Sequence, residues 1–416
     1  MADGSAAGLT RRDRTICLPV GEEEYGRMVR DAGEFRRFLD GCYRQMPELF
    51  PAGFEQGYTI KDLRISVKMG VLLRRIALRD GSAYTVRPSF LMPYMTARTE
   101  DVKTPLFLRK FGVPYWALAY AFGHDPMYWY RLEVGLGRNS IVGTTVRNRE
   151  VPEELLADEH HQTRDGQKNY IATTVGGGCV LGAALSESAG TEELKEAYGV
   201  FQSEAEDLDP DYTPRTVNTD GWQGTQAAWK ALFPLVVVLQ CFLHAWLKIR
   251  DRAKHLGEQF FQISEKVWDA YHAPDRVSFS QRIRALRTWA SGQLSGVVQE
   301  KVLDLCDQRD VWKIAYDHPH GHRTSNMLDR LMRSMNRYFV DGQHLHGSRT
   351  AGNLHCRAWA LLFNFAPWHP AVAQRHGGWQ SPAERLNQKR YHDDWLQNLL
   401  ISASLGGYRN RTPQIA

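Results

Sequence analysis

Two aspartates stand where metal-assisted chemistry would need them. Asp158 ends the run Leu-Ala-Asp within Leu-Ala-Asp-Glu-His-His, and Asp220 ends Val-Asn-Thr-Asp before Gly-Trp, each behind a short strand-like segment. Carboxylates at the ends of neighbouring strands can converge on one point, as a pair of hard Mg²⁺ ions requires. Such a pair activates a water or a nucleic-acid 3′-hydroxyl and steadies the leaving oxygen of an in-line displacement. The same residues have a purely structural reading, with Asp158 finishing a strand and Asp220-Gly221 forming a common turn dipeptide. His318, His320 and His322 alternate within a Pro- and Gly-containing stretch. They invite a metal-site reading, but an exposed loop accounts for them more simply.

The elements that would position these aspartates begin at residue 151. Leu155–His160, Tyr170–Val175 and Cys179–Leu185 are strand-like, Glu192–Asp207 is helical, Arg215–Thr219 is strand-like and Gln223–Leu232 is helical. Leu235–Leu243 is a continuous β-branched and apolar run of the kind buried on both faces. Three strands, a helix, a strand, a helix and a strand is the element order of a ribonuclease-H-like α/β core. Residues 246–317 are almost entirely helical in pattern, and a strong helix starts at Ser325, a candidate N-cap, and runs through Phe339. Upstream, the first 15 residues suit a flexible arm, and Glu22–Phe50 suits one or two helices ending at Pro51. Within Leu73–Tyr94 a hairpin is expected around Asp80-Gly81. Thr104–Phe122 and Asp125–Leu136 suit two helices around Gly123-His124-Asp125, a pattern compatible with a helix-turn-helix.

These elements divide the chain into six expected parts. Residues 1–60 hold the arm and N-terminal helices, and 61–150 a basic β-hairpin with the helix-turn-helix-like region. Residues 151–250 and 321–370 form two parts of an α/β core around a helical insertion at 251–320, and 371–416 form a C-terminal helical tail. The net charge of +5 is unevenly distributed: residues 61–150 hold 15 Lys and Arg against 7 Asp and Glu, while the rest hold 37 against 40. A basic block of this kind suits a polyanion, although a solvated basic face is the plainer alternative. The six cysteines, at 17, 42, 179, 241, 306 and 356, form no C-x-x-C pair. That argues against a structural zinc and a disulfide framework, and leads us to expect a reducing cytoplasm, with nucleoid association in a bacterium. The N-terminus lacks the apolar stretch of a signal peptide, and Leu232–Leu247 is too short and polar to span a bilayer.

The neighbourhood of Asp220 carries a resemblance. Asp220-Gly-Trp, a helix, then Val-Val-Val-Leu-Gln-Cys241-Phe-Leu-His244 and Ala-Trp-Leu-Lys-Ile-Arg-Asp-Arg resembles the Mutator-like and related bacterial insertion-sequence transposases. In that superfamily the second catalytic aspartate precedes a strand, a [C/D]-x-x-H motif, a mostly helical insertion and the last acid. Cys241 and His244 match the motif, 246–317 matches the insertion, and His322-Arg-Thr-Ser-Asn-Met-Leu-Asp329 resembles the family's Thr-[ST]-Asn-x-x-Glu helix start. The resemblance spans roughly residues 150–365 and implies Asp158, Asp220 and Asp329 as catalytic and metal-holding residues. It implies two Mg²⁺ ions, with Mn²⁺ as substitute, and a structural or DNA-positioning role for Cys241 and His244. Asp329 departs from the family's usual glutamate and reaches one methylene less. Glu258, 38 positions after Asp220, and Glu265 are rivals for the third acid.

Arg330, Arg333 and Arg337 recur on one helix face, where they would suit the phosphates of a transposon end or simply a solvated surface. Trp289, near Arg282, Arg284 and Arg287, could stack on an extruded base or pack in a core. The implied activity is metal-dependent DNA cleavage and strand transfer at terminal inverted repeats, with transposon ends and target DNA as partners and a homodimer or higher assembly. The alternatives are a transposase-derived DNA-binding protein without cleavage activity, and a ribonuclease-H-fold nuclease or resolvase.

Overall fold

The computed structural model describes residues 14–67, 69–341, 345 and 347–408, so all but the end of the expected N-terminal arm lies outside the described residues. The chain opens with β1 (Thr15–Leu18), α1 (Glu22–Met28) and α2 (Ala32–Gln45). Asp31 caps α2 by accepting the Glu34 amide, and Phe35, Leu39 and Cys42 turn its apolar stripe inward. β2 (Tyr58–Ser66), β3 (Val71–Leu78) and β4 (Ala83–Pro88) complete a four-stranded sheet of order β1-β4-β3-β2. The hairpin expected at Asp80-Gly81 is β3–β4, with Gly81 at φ 82°. β2 adds a second hairpin that the sequence hides. Its alternation is interrupted by Lys61, Asp62 and Arg64, and its register shifts between Ile60 and Asp62. The boundary expected at residues 60 and 61 therefore runs through a strand.

Three helices, rather than two, follow: α3 (Thr99–Arg109), α4 (Tyr115–Phe122) and α5 (Pro126–Leu136). The helix expected over Thr104–Phe122 is broken at Gly112, which takes φ 78°, and Pro114, which has no N–H to continue the ladder. α5, the expected groove-reading helix, buries Trp129, Leu132, Glu133, Val134 and Leu136. It leaves Met127 and Arg131 exposed. Several cations of 61–150 are engaged inside the fold, three of them by acids from outside the block. Arg74 donates to the Val29 and Arg30 carbonyls, and Arg75, Arg98, Lys103, Arg109 and Arg147 pair with Asp62, Glu22, Asp394, Glu133 and Glu48.

After α6 (Ile141–Thr145) comes the second sheet. β5 (Glu154–Arg164), β6 (Gln167–Gly176) and β7 (Cys179–Ser186) form an antiparallel meander, followed by α7 (Thr191–Leu208), β8 (Thr216–Thr219), α8 (Gln223–Leu232) and β9 (Val237–Gln240). The order is β7-β6-β5-β8-β9, with β5–β8 and β8–β9 parallel. β9 corrects the expected buried run 235–243. It is an edge strand of four residues, Leu235 is 81% exposed, and the loop before residue 326 covers part of it. That loop is held by the Asn218 side chain donating to the His322 carbonyl (2.8 Å) and the Phe242 amide donating to the Arg323 carbonyl (3.1 Å).

α9 (Phe242–Ala253), α10 (Glu258–Tyr271), α11 (Arg276–Gln293), α12 (Gly296–Asp307) and α13 (Arg309–Trp312) lie between β9 and α14 (Asn326–Asp341). They enclose a core of their own, around Trp246, Ile263, Phe279 and Leu286. α14 and α15 (Arg349–Phe365) cover one face of the second sheet through Leu328, Leu331, Met335 and Trp359, against Leu156 and Ile171. α7 and α8 cover the other through Tyr198, Phe201 and Trp229, against Leu155 and Ala157. The expected C-terminal tail is no appendage. After α16 (Pro370–Arg375) and α17 (Pro382–Asn387), α18 (Trp395–Ser402) buries Leu396, Leu399, Leu400 and Ile401 in the N-terminal core. No helix of the described residues is long and apolar enough to cross a membrane.

Candidate active site

Successive residues of a strand point to opposite faces, and β5 obeys this strictly. Leu156 packs under α14 and α15, whereas Leu155 and Ala157 pack under α7 and α8. Asp158 shares the parity of Leu156 and faces the α14 side. Glu159 shares that of Ala157, and it accepts hydrogen bonds from the Tyr198 hydroxyl (2.6 Å) and the Thr225 hydroxyl (2.8 Å). β5 pairs with β8 in parallel as far as Leu156 opposite Asn218, and Asp158 and Asp220 follow two residues further along each chain, near enough for their charges to repel. Asp220 lies one residue past β8, is exposed, and accepts the Trp222 amide at 2.9 Å, while Gly221 takes φ 97°. The turn reading of Asp220-Gly221 therefore holds, and it coexists with a carboxylate held at the strand end.

Burial, then the like charges of Asp220 and Glu159, push the Asp158 carboxyl up to about 7. Burial also raises Glu159, against the Tyr198 and Thr225 hydrogen bonds. The excess of negative charge is met by His244 in the first turn of α9. Its imidazole is raised to about 9, chiefly by the Cys241 side chain and also by Asp329 and Asp158, although burial opposes this. Burial would raise the Cys241 thiol, but His244 and Ser325 outweigh it and lower the thiol below its ordinary value. Cys241 sits at the N-cap of α9, its amide donating to the Thr219 carbonyl at 2.8 Å. Asp329 occupies the first turn of α14 and is half-buried. Its amide donates to the Ser325 carbonyl at 2.8 Å, and the Ser325 hydroxyl donates to its Oδ2 at 3.2 Å.

The fold thus brings Asp158, Asp220, Asp329, Cys241 and His244 into one electrostatic neighbourhood. It also adds Glu159, and Ser325, expected from the sequence only as a helix N-cap. Glu159 stood beside Asp158 in the acidic stretch, but only the parity of β5 shows that it serves the other face. Glu258 and Glu265 are exposed on α10 in the helical unit. Neither is among the groups that most strongly shift Asp158, Glu159 or His244. Arg330, Arg333 and Arg337 are all exposed on α14. Trp289 on α11 is half-buried against the core of the helical unit, with the Lys266 ammonium 5.2 Å from its ring centre. Arg282 and Arg287 near it are paired with Asp269 and Asp307. His318 and His322 lie half-buried, and His320 exposed, in the loop that covers β9.

The donor chemistry at this site fits a hard divalent cation. The neighbouring groups include carboxylates, and Asp158 is raised first by burial and then by the like charges of Asp220 and Glu159, the latter a repulsion that a cation would relieve. Among the described residues, no three His, Cys, Asp or Glu side chains are already drawn together as a metal-holding group. No protein-family model matches the chain, and no curated protein matches it.

Proposed function

We propose that the protein is a DNA transposase of the three-carboxylate class with a ribonuclease-H-like core, akin to the Mutator-like and related insertion-sequence enzymes. The observation that carries this reading is the parallel pairing of β5 with β8 as far as Leu156 and Asn218, beyond which Asp158 and Asp220 lie close enough to repel, with α14, the helix of Asp329, packed on β5. The strand order β7-β6-β5-β8-β9, antiparallel in its first half and parallel in its second, supports a ribonuclease-H-like core. The separate helical unit between β9 and α14 supports the insertion that the resemblance implies.

In this reading Asp158, Asp220 and Asp329 would hold two Mg²⁺, or Mn²⁺ as substitute, which when bound supply an activated water or DNA 3′-hydroxyl and a counter-charge for the leaving oxygen. His244, raised chiefly by Cys241, is also within the electrostatic reach of Asp158 and Asp329. Arg330, Arg333 and Arg337 would hold phosphates of the DNA beside the third acid, and Trp289 would meet a base presented to the helical unit. With so many cations of the N-terminal unit already paired, recognition of inverted repeats there would rest on exposed groups such as Lys61, Arg64, Arg79 and Arg131. Two ends must be held together, which calls for a homodimer or higher assembly.

The test is incubation of the purified protein with a DNA fragment carrying the flanks of its own gene, in Mg²⁺, Mn²⁺ or EDTA. Metal-dependent cuts at the element ends are expected. Specific binding without cutting under either metal would make it a transposase-derived DNA-binding protein. Cutting of branched junctions regardless of sequence would make it a nuclease or resolvase.

A further inference from the structure

In the proposed reading Asp329 is the third carboxylate, and the hydrogen bonds that hold its side chain reach beyond α14. Ser325, 3% exposed, donates its backbone N–H to the Cys241 sulfur at 3.1 Å, and its hydroxyl donates to Asp329 Oδ2 at 3.2 Å. The Cys241 thiol, 1% exposed, donates to the Ser325 Oγ at 3.2 Å. Cys241 is in turn fastened to the end of β8, just before Asp220, because its amide donates to the Thr219 carbonyl at 2.8 Å. The next residue repeats the link, with the Phe242 amide on the Arg323 carbonyl at 3.1 Å. A continuous chain therefore runs from the end of β8, through sulfur and hydroxyl, to the Asp329 carboxylate.

We infer that Cys241 and Ser325 are positioning residues, a thiol–hydroxyl relay that fixes the direction of Asp329 relative to Asp220 and so sets the site's affinity for its divalent cation. The inference rests on the proposed reading of Asp329 as a metal-holding residue. A buried Cys that merely filled space would be replaced by Ala with a change in stability alone. A relay makes a different demand: loss of Ser325 removes the bond to the carboxylate, loss of Cys241 frees the hydroxyl that makes it, and loss of both does no more than loss of Ser325.

The experiment is Mn²⁺ binding to the full chain, read from the spin-resonance signal of free Mn²⁺, with urea denaturation of each variant alongside. Cys241→Ala and Ser325→Ala should each weaken Mn²⁺ binding roughly tenfold, as the loss of a partner behind a ligand does. The double variant should bind no more weakly than either single one, and Cys241→Ser, which keeps a donor, should stay within about threefold of the parent. In an Asp329→Asn background, Cys241→Ala should change Mn²⁺ binding no further. Parent-like binding in both single variants, or effects that multiply in the double variant, would overturn the relay and leave the metal reading intact. A parent chain that binds no Mn²⁺ would overturn the metal reading itself, and the relay with it.

Discussion

Asp158 sits where burial and two neighbouring carboxylates disfavour its ionised form, and that leaves a mark on stability. Its carboxyl is pushed up to about 7, far above the ordinary aspartate value the unfolded chain retains. Through the window between those values the folded protein keeps a proton that the unfolded chain has released. Stability contributed by that proton is complete at acid pH and lost as pH rises through 7. In EDTA, Asp158→Asn should therefore be more stable than the parent at pH 8, by about 2 kcal/mol once partial solvent screening is allowed for. The difference should close towards pH 4. Urea denaturation at three pH values reads this directly, and an Asn variant no more stable at pH 8 would mean that Asp158 carries no such strain. At this scale Asp220 was legible as a carboxylate directly after a strand, whereas Asp158, expected at a strand end, lies inside β5, which runs on to Arg164 through the polar residues Gln162 and Thr163. Ser325 was legible only as a helix start. Its hydroxyl turns to Asp329 and the Cys241 sulfur, partners a linear pattern does not reveal.

The helices are locked to one another by contacts that the chain pattern shows poorly. Arg109 on α3 and Glu133 on α5 are fully buried and paired at 2.7 Å, and Tyr338 on α14 donates its hydroxyl to the same glutamate. His355 on α15 lies 2.9 Å from that hydroxyl through Nε2. Glu133→Gln would leave the guanidinium buried without a counter-charge, and should cost about 3 kcal/mol in urea denaturation. A loss under about 1 kcal/mol would show that the guanidinium finds other compensation. Gly137, at the end of α5, lies so close to α15 that a Cβ would collide with the Leu354 carbonyl. Gly137→Ala should therefore destabilise by at least about 2 kcal/mol, although its backbone φ of −66° suits any residue. Element positions from β6 to α8 followed their hydropathy periods closely, because those segments pack against neighbours on known faces. Among the misses were β2, whose charged residues masked its alternation, the polar second half of β5, the break between α3 and α4, and β9, whose apolar run is half-open to solvent at a sheet edge.

At the scale of the whole molecule, chain order and spatial order part company. α18 and the residues after it pack beside β1, with the Ser404 hydroxyl donating to the Leu49 carbonyl at 2.7 Å and accepting the Cys17 amide at 3.1 Å. Truncation after residue 393 should therefore loosen the N-terminal sheet. Hydrogen exchange should quicken over residues 15–88 while β5–β7 stay protected, and equal protection in both sheets would refute that dependence. The same long-range pairing reduces the local charge imbalance. Glu22, Glu48 and Asp394 lie outside the basic block in sequence and neutralise cations within it.

The central claim is that Asp158, Asp220 and Asp329 form one metal-dependent cleavage site. The most direct measurement is the cleavage rate of the gene's own flanking DNA in Mg²⁺ by the parent, Asp158→Asn, Asp220→Asn, Asp329→Asn and Glu258→Gln. Each aspartate substitution should slow cleavage by roughly a thousandfold, the equivalent of about 4 kcal/mol of lost transition-state stabilisation, while Glu258→Gln cuts at the parental rate. Parental cutting by Asp329→Asn with loss in Glu258→Gln would contradict the account, because the third acid would then come from the helical unit rather than from α14.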